Sequence, residues 1–323
     1  IKPPKGDWEK LRILQSFPNV MEKLKENAAL SGSCSSGVAP SQEQMNREAA
    51  NGDSLLRMTV TSKIEETIMD LLREYRLNAF AQQLHEQLID PSWSSQPFLR
   101  RLLVCLEAER VVRKERGAEK RFKIAGLTRG AYSLRQFDFA PGRGISRQTL
   151  EEIIECRWIA KRVPHQRRDS RRNGKSIAIT GATGCGKSFL AMVISSEAIE
   201  RGFNVKYWSL SELVERLSKA EKKSETLKKI NEADLLTIDD FGLGTLTAQE
   251  QSLVYEIIKS RADNLSTIIV SQRPCADWYE WLGGKYIADG VADRIINFYY
   301  LIELKGESRR ALARKQAKEA AEL

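Results

Sequence analysis

Gly181-Ala182-Thr183-Gly184-Cys185-Gly186-Lys187-Ser188 follows the apolar run Ile177–Thr180 and opens a helix-forming stretch at Phe189-Leu190-Ala191. Strand, glycine-rich turn and helix in that order make a loop whose backbone N–H groups converge on one phosphate. The partial positive charge of a helix N-terminus lies behind them. Lys187 is placed to reach β- and γ-phosphates, and the Ser188 hydroxyl to ligate Mg²⁺. All eight residues are therefore candidate nucleotide contacts, with ATP and Mg²⁺ as the expected ligands. Cys185, at the mouth of the same helix N-terminus, is expected to favour thiolate, so that alkylation blocks ATP binding and bound ATP protects it.

Downstream, short β-rich runs recur at Val205–Trp208, Leu235–Ile238, Thr267–Val270 and Phe298–Glu303, separated by helical patterns. With Ile177–Thr180 they predict a five-stranded parallel sheet covered on both faces. The run Leu235-Leu236-Thr237-Ile238 ends in two acids. A carboxylate at a strand's C-terminal end beside the phosphate loop can hold the water shell of Mg²⁺, the role expected of Asp239 together with Ser188. Asp240 is then placed to orient or deprotonate the attacking water. It is shorter than the glutamate many ATPases carry, so slow turnover without a partner is expected. The fourth strand ends Val270-Ser271-Gln272, and Ser271 or Gln272 could sense the γ-phosphate; the pattern does not choose between them.

Upstream, residues 1–57 are mixed in character, with a Ser/Gly run at Ser31–Gly37 that reads as linker. Met58 is a plausible natural start, and the residues before it read as an extension or flexible segment. From 58 to 125 the pattern is helical: Ile64, Ile68, Leu71, Leu72 and Tyr75 share one face, Phe80, Leu84 and Leu88 another, and a third helix runs from about Pro97 to Arg121. A small all-α domain is expected there. Residues 126–175 read as a linker with a turn at Pro141-Gly142-Arg143-Gly144, a short helix near Gln148–Arg157 and a basic stretch, and 176–323 as the nucleotide-binding core.

The composition is that of a soluble globular protein, 41% apolar and 29% charged over 323 residues. No apolar run approaches the roughly 18 residues that cross a bilayer, and the N-terminus lacks a secretory signal's apolar centre. Five scattered cysteines and two histidines show no metal-ligand spacing, so no zinc site or disulfide framework is expected and a reducing cytoplasm is. A net charge of +9 suggests an acidic partner. Two basic clusters could meet DNA phosphates: Arg110, Arg113, Lys114, Lys120 and Arg121 on the third helix, and Arg216, Lys219, Lys222, Lys223, Lys228 and Lys229 before Asp239. Phosphate contacts give affinity without base choice, and no base-reading module is visible.

Taken in order, Gly181–Ser188, Asp239-Asp240-Phe241-Gly242, Ser271-Gln272-Arg273-Pro274, Ile287-Ala288-Asp289, Asp293-Arg294 and Ile302–Ser308 resemble the IstB family, with Cys156-Arg157-Trp158-Ile159 before the core. These are insertion-sequence helper ATPases related to the DnaC helicase loader. The resemblance covers roughly 60–310. It implies an AAA+ P-loop core with a truncated lid that self-associates into a ring or spiral on double-stranded DNA with ATP and recruits or stimulates a transposase. It also implies that Arg294 is an arginine finger reaching a neighbouring subunit's γ-phosphate. A DnaC-like replicative helicase loader is the alternative. A small-molecule kinase accounts for neither the basic clusters nor the helical segment. The basic stretch at 161–175 is longer than the family's usual connection.

Overall fold

The structure, a computed structural model, describes residues 62–140, 142–160, 174–262, 264–283 and 300–309. The 1–57 segment, most of the basic stretch, Asp289, Asp293 and Arg294 lie outside the described residues, as does the side chain of Lys222. The chain divides into two compact units, Ile1–Arg76 and Leu77–Leu323. In the first, residues 62–74 form a helix, α1, on which Ile64, Ile68 and Leu71 are exposed.

The second unit begins with α2 (Asn78–Ile89) and α3 (Phe98–Ala125), followed by α4 (Arg147–Ile154). Asp90 ends α2 and accepts the Ser92 N–H at 2.9 Å, turning the chain at Pro91. Glu109, buried on α3, caps α2 from outside: its carboxylate accepts the N–H groups of Ala79 and Phe80 at 3.0 and 3.3 Å and the Arg113 guanidinium at 2.7 Å. Burial pushes this carboxyl up, but those three donors outweigh it and hold the group below its ordinary range.

The sequence reading separates a helical domain ending at 125 from the core. In the structure α3 belongs to the same unit as the sheet. Its Phe122 and Ala125 share one apolar cluster with Ile177, Leu190 and Val205, and Lys206 Nζ donates to Ile124 O at 3.1 Å. Gly117 does not interrupt α3, because the buried Ala118 and Phe122 anchor the turns beyond it.

Five parallel strands follow, as expected: β1 (Ile177–Gly181), β2 (Val205–Ser209), β3 (Leu235–Phe241), β4 (Ser266–Ser271) and β5 (Tyr300–Leu304), in the spatial order β2-β3-β4-β1-β5. Helices α5 (Lys187–Glu200), α6 (Leu210–Ser218), α7 (Ala220–Glu232) and α8 (Ala248–Arg261) make the crossovers. Alternation along each strand assigns the two faces. Ile177, Ile179, Ile268 and Val270 pack in one cluster with Leu190 and Ile194 of α5, whereas Ala178, Leu236, Ile238 and Ile269 pack in the other with α6 and α8. Both faces are covered, which is why the strands read as continuous apolar runs. With the glycine-rich loop between β1 and α5, this is a P-loop α/β core.

Two buried polar groups fix the edges of the layers. Arg261, at the end of α8, is fully buried and donates to the carbonyls of Ile230, Ala233, Asp234 and Ser266 and to Thr267 Oγ1, tying the end of α7 to the starts of β3 and β4. Burial pulls its pKa down to about 9. Ser266 Oγ donates to Trp158 O at 3.2 Å and accepts Ala160 N–H at 3.3 Å, which docks the 156–160 segment on β4.

Candidate active site

Ligands of open α/β sheets lie beyond the carboxyl ends of the strands. Here that end holds a cleft of about 690 Å³ lined by Thr183, Gly184, Gly186, Lys187 and Ser188 of the P-loop, by Asp240 and Gln272, and by residues of the segment before the core. Gly181, Gly184 and Gly186 have φ of 140°, 82° and 100°. A Cβ on Gly181 would stand 2.1 Å from Leu304 O, and one on Gly184 2.3 Å from Ser308 Oγ. Gly181 and Gly184 are therefore required by backbone conformation and by close neighbours alike, and Gly186 by backbone conformation.

Lys187 opens α5, is mostly buried, and donates its ammonium to Ala182 O at 2.9 Å. Ser188 Oγ donates to Asp239 Oδ1 at 3.2 Å. The hydroxyl and carboxylate are hard oxygen donors on adjoining elements, a set that fits Mg²⁺, which takes one or two protein oxygens and completes its shell with water and phosphate. Asp239 is held further by Asp240 N–H on Oδ1 at 2.8 Å and by the Tyr207 hydroxyl on Oδ2 at 2.6 Å. Burial, then the Asp239 charge, keeps the Tyr207 phenol far above its ordinary range, so it stays a proton donor.

Asp240 does not continue the strand regularly. The register of β3 against β4 shifts between Ile238 and Phe241, and Asp240 has φ 56°. Such a bulge turns one side chain out of the alternation. It leaves Asp239 buried against Ser188 and Asp240 exposed at the cleft wall, so the two acids face different surroundings.

Ser271 and Gln272, at the end of β4, face different surroundings. Ser271 is fully buried, and its Oγ accepts Arg273 N–H at 3.0 Å and Trp278 Nε1–H at 3.1 Å. Gln272 lines the cleft, and its Oε1 accepts the Thr183 hydroxyl at 2.7 Å. Cys185 corrects a second expectation. Its side chain is fully buried in the apolar cluster beneath the loop, so the thiol faces the core and not the nucleotide cleft.

Several site residues were not singled out by the sequence pattern. Arg143, 6% exposed, donates to Cys185 O at 2.8 Å and to Lys305 O at 3.1 Å, clamping the P-loop to the end of β5. Its guanidinium carbon lies 5.6 Å from the centre of the Phe137 ring. Its buried Nε has no hydrogen-bond partner among the described residues. Gln136, Phe137 and Asp138 line the same wall, with Asp138 paired to Arg309.

None of the basic residues singled out as DNA contacts lines the cleft. On α3, Arg110 pairs with Glu107 and Arg113 with Glu109, while Lys114, Lys120 and Arg121 follow on the same helix. In the second cluster Arg216, Lys219 and Lys229 pair with Glu212, Glu215 and Glu225 one helical turn away. Lys223 and Lys228 stand on α7 beside them. Among the described side chains, Arg216, Lys219 and Lys229 are thus compensated by carboxylates four residues away. Among the described residues no helix is long and apolar enough to cross a membrane.

Comparison with known proteins agrees with this geometry. The family described as IstB-like ATP binding protein matches residues 69–317. The chain belongs to this family. An insertion sequence IS21 ATP-binding protein of Pseudomonas aeruginosa is 26% identical over 255 residues, covering 78% of this chain and 90% of the relative. The insertion sequence ATP-binding protein y4pL of Sinorhizobium fredii is 30% identical over 235 residues, covering 72% of this chain and 87% of its own. Among solved structures, the crystal structure of DnaI aligns over 55% of this chain and 90% of its own, with 24% identity and a TM-score of 0.45. As a member of the IstB-like family the chain is an ATP-binding protein.

Proposed function

We propose that this IstB-like protein hydrolyses ATP with Mg²⁺, self-associates into a ring or spiral on duplex DNA in the cytoplasm, and recruits or stimulates a transposase. The observation that carries the catalytic part is the meeting of Lys187, Ser188, Asp239, Asp240 and Gln272 at one end of the sheet. The P-loop amides and Lys187 hold and neutralise the phosphates. Ser188 and Asp239 hold the cation, which supplies further charge neutralisation when bound. Asp240 orients the attacking water and accepts its proton, and Gln272 reports the γ-phosphate to the P-loop through Thr183. Arg294 from a neighbouring subunit completes the site.

The DNA and transposase roles rest on the insertion-sequence relatives and on the basic charge, not on the cleft. Lys187→Ala should lose binding of a fluorescent ATP analogue; wild-type affinity would remove the P-loop assignment. ATPase activity should rise with duplex DNA of any sequence, and DNA affinity should fall steeply with salt as counterions are released. Stimulation by single-stranded DNA alone, with capture of a replicative helicase, would favour the loader reading.

A further inference from the structure

We infer that Tyr207 is a positioning residue for the divalent cation, fixing the Asp239 carboxylate so that its Oδ1 edge stays turned toward Ser188. The placement follows from the sheet. β2 and β3 run parallel with Tyr207 opposite Thr237 and Ser209 opposite Asp239. Asp239 is thus the diagonal neighbour of Tyr207, two residues on and on the same face, a separation that an aromatic side chain spans. The Tyr207 ring packs against the apolar cluster that carries β1 and α5. Phenylalanine would fill that space equally well, so packing does not account for the hydroxyl. The hydroxyl goes to Asp239 Oδ2 at 2.6 Å, while Ser188 Oγ and Asp240 N–H occupy Oδ1. With donors on both oxygens the carboxylate cannot rotate. Without Tyr207 one side is released. Outer-shell partners of metal-binding groups are commonly worth about 10–100-fold in metal affinity.

The inference rests on the reading of Ser188 and Asp239 as the cation site, and the test separates the two. Tyr207→Phe, Asp239→Asn and wild type are compared for binding of a fluorescent ATP analogue in EDTA and across a Mg²⁺ titration, with direct Mn²⁺ binding in the presence of nucleotide as a second readout. Tyr207→Phe should match wild type in EDTA and need about 10–100-fold more Mg²⁺. Asp239→Asn should lose the Mg²⁺ response. If Asp239→Asn loses it and Tyr207→Phe titrates like wild type, Tyr207 has no positioning role. If Tyr207→Phe loses affinity equally with and without Mg²⁺, its role is structural and the inference fails. If Asp239→Asn keeps the wild-type response, the cation site itself is wrong.

Discussion

Thr183 on the P-loop donates its hydroxyl to Gln272 Oε1 at 2.7 Å, joining two segments 89 residues apart. One residue earlier, Ser271 holds Trp278 instead. The two neighbours should therefore fail differently. Gln272→Ala should keep nucleotide affinity and lower hydrolysis. Ser271→Ala should turn over normally per folded molecule and cost about 1 kcal/mol of stability through the weakened Trp278 contact. Thermal melts beside ATPase rates decide it; a Ser271→Ala defect confined to hydrolysis would reverse the assignment.

Asp240→Asn should bind ATP like wild type yet hydrolyse it about 10²–10⁴-fold more slowly. Asparagine is among the residues that tolerate the left-handed backbone at this position, so the loss is chemical. If hydrolysis dismantles the DNA-bound assembly, the variant's complexes should also outlive the wild type's. Dissociation rates on duplex DNA test this.

Thiol reactivity should follow burial. Burial pushes the Cys156 thiol up to about 12 and Cys275 up to about 11. Cys275 is the more accessible of the two, so its alkylation should climb about tenfold per pH unit from pH 8 until the pH nears that value. Cys185 should stay unmodified until denaturant is added, with or without ATP. Peptide mapping after iodoacetamide treatment reads both, and rapid native labelling of Cys185 would contradict its burial.

Glu109→Gln should destabilise the protein by about 1–2 kcal/mol at pH 7, since it weakens the cap on α2 and removes the charge facing Arg113. The native carboxyl titrates below its ordinary range, so its contribution is complete above the unfolded value. It is lost as pH falls through the folded one. Urea melts of wild type and variant should therefore converge only as pH falls below the ordinary glutamate range. A gap that persists in acid would mean the charge is not involved.

Arg294 lies outside the described residues, and the role in trans proposed for it is tested by mixing variants. Arg294→Ala should bind ATP but hydrolyse it poorly, a defect of about 10³–10⁵ for such fingers. Lys187→Ala has an empty pocket and a sound finger. Mixing the two should restore part of the activity. Co-sedimentation on DNA without any recovery would exclude Arg294 from the site.

The strands, their parallel pairing and the P-loop were legible because each depends on local pattern: a short apolar run, then glycines at fixed spacing, then a helix. The place of Asp239 near the end of β3, beside the P-loop, was legible for the same reason. Tyr207 and Arg143 were not, because their partners are 32 and 42 residues away and neither residue type at its position announces one. The choice between Ser271 and Gln272 turned on which side chain the end of β4 aims inward, and strand alternation alone does not say where a strand stops alternating. The reach of α3 into the core was hidden by its charge. Phe122 and Ala125 are a thin apolar signal at the end of a helix whose stretch 113–123 is dominated by arginine, lysine and glutamate.

Arg143 carries one consequence for dissecting the molecule. Its guanidinium braces the P-loop from a segment that ends well before β1, and Gln136, Phe137 and Asp138 of that segment form a wall of the cleft. The nucleotide site therefore cannot be excised as a module that starts at its first strand. A fragment trimmed to residue 174 would keep the P-loop, Asp239-Asp240 and Ser271-Gln272 and lose the brace, one wall and the buried face of Phe122. Such a fragment would be an ATPase by sequence and an open, poorly gripping loop in solution.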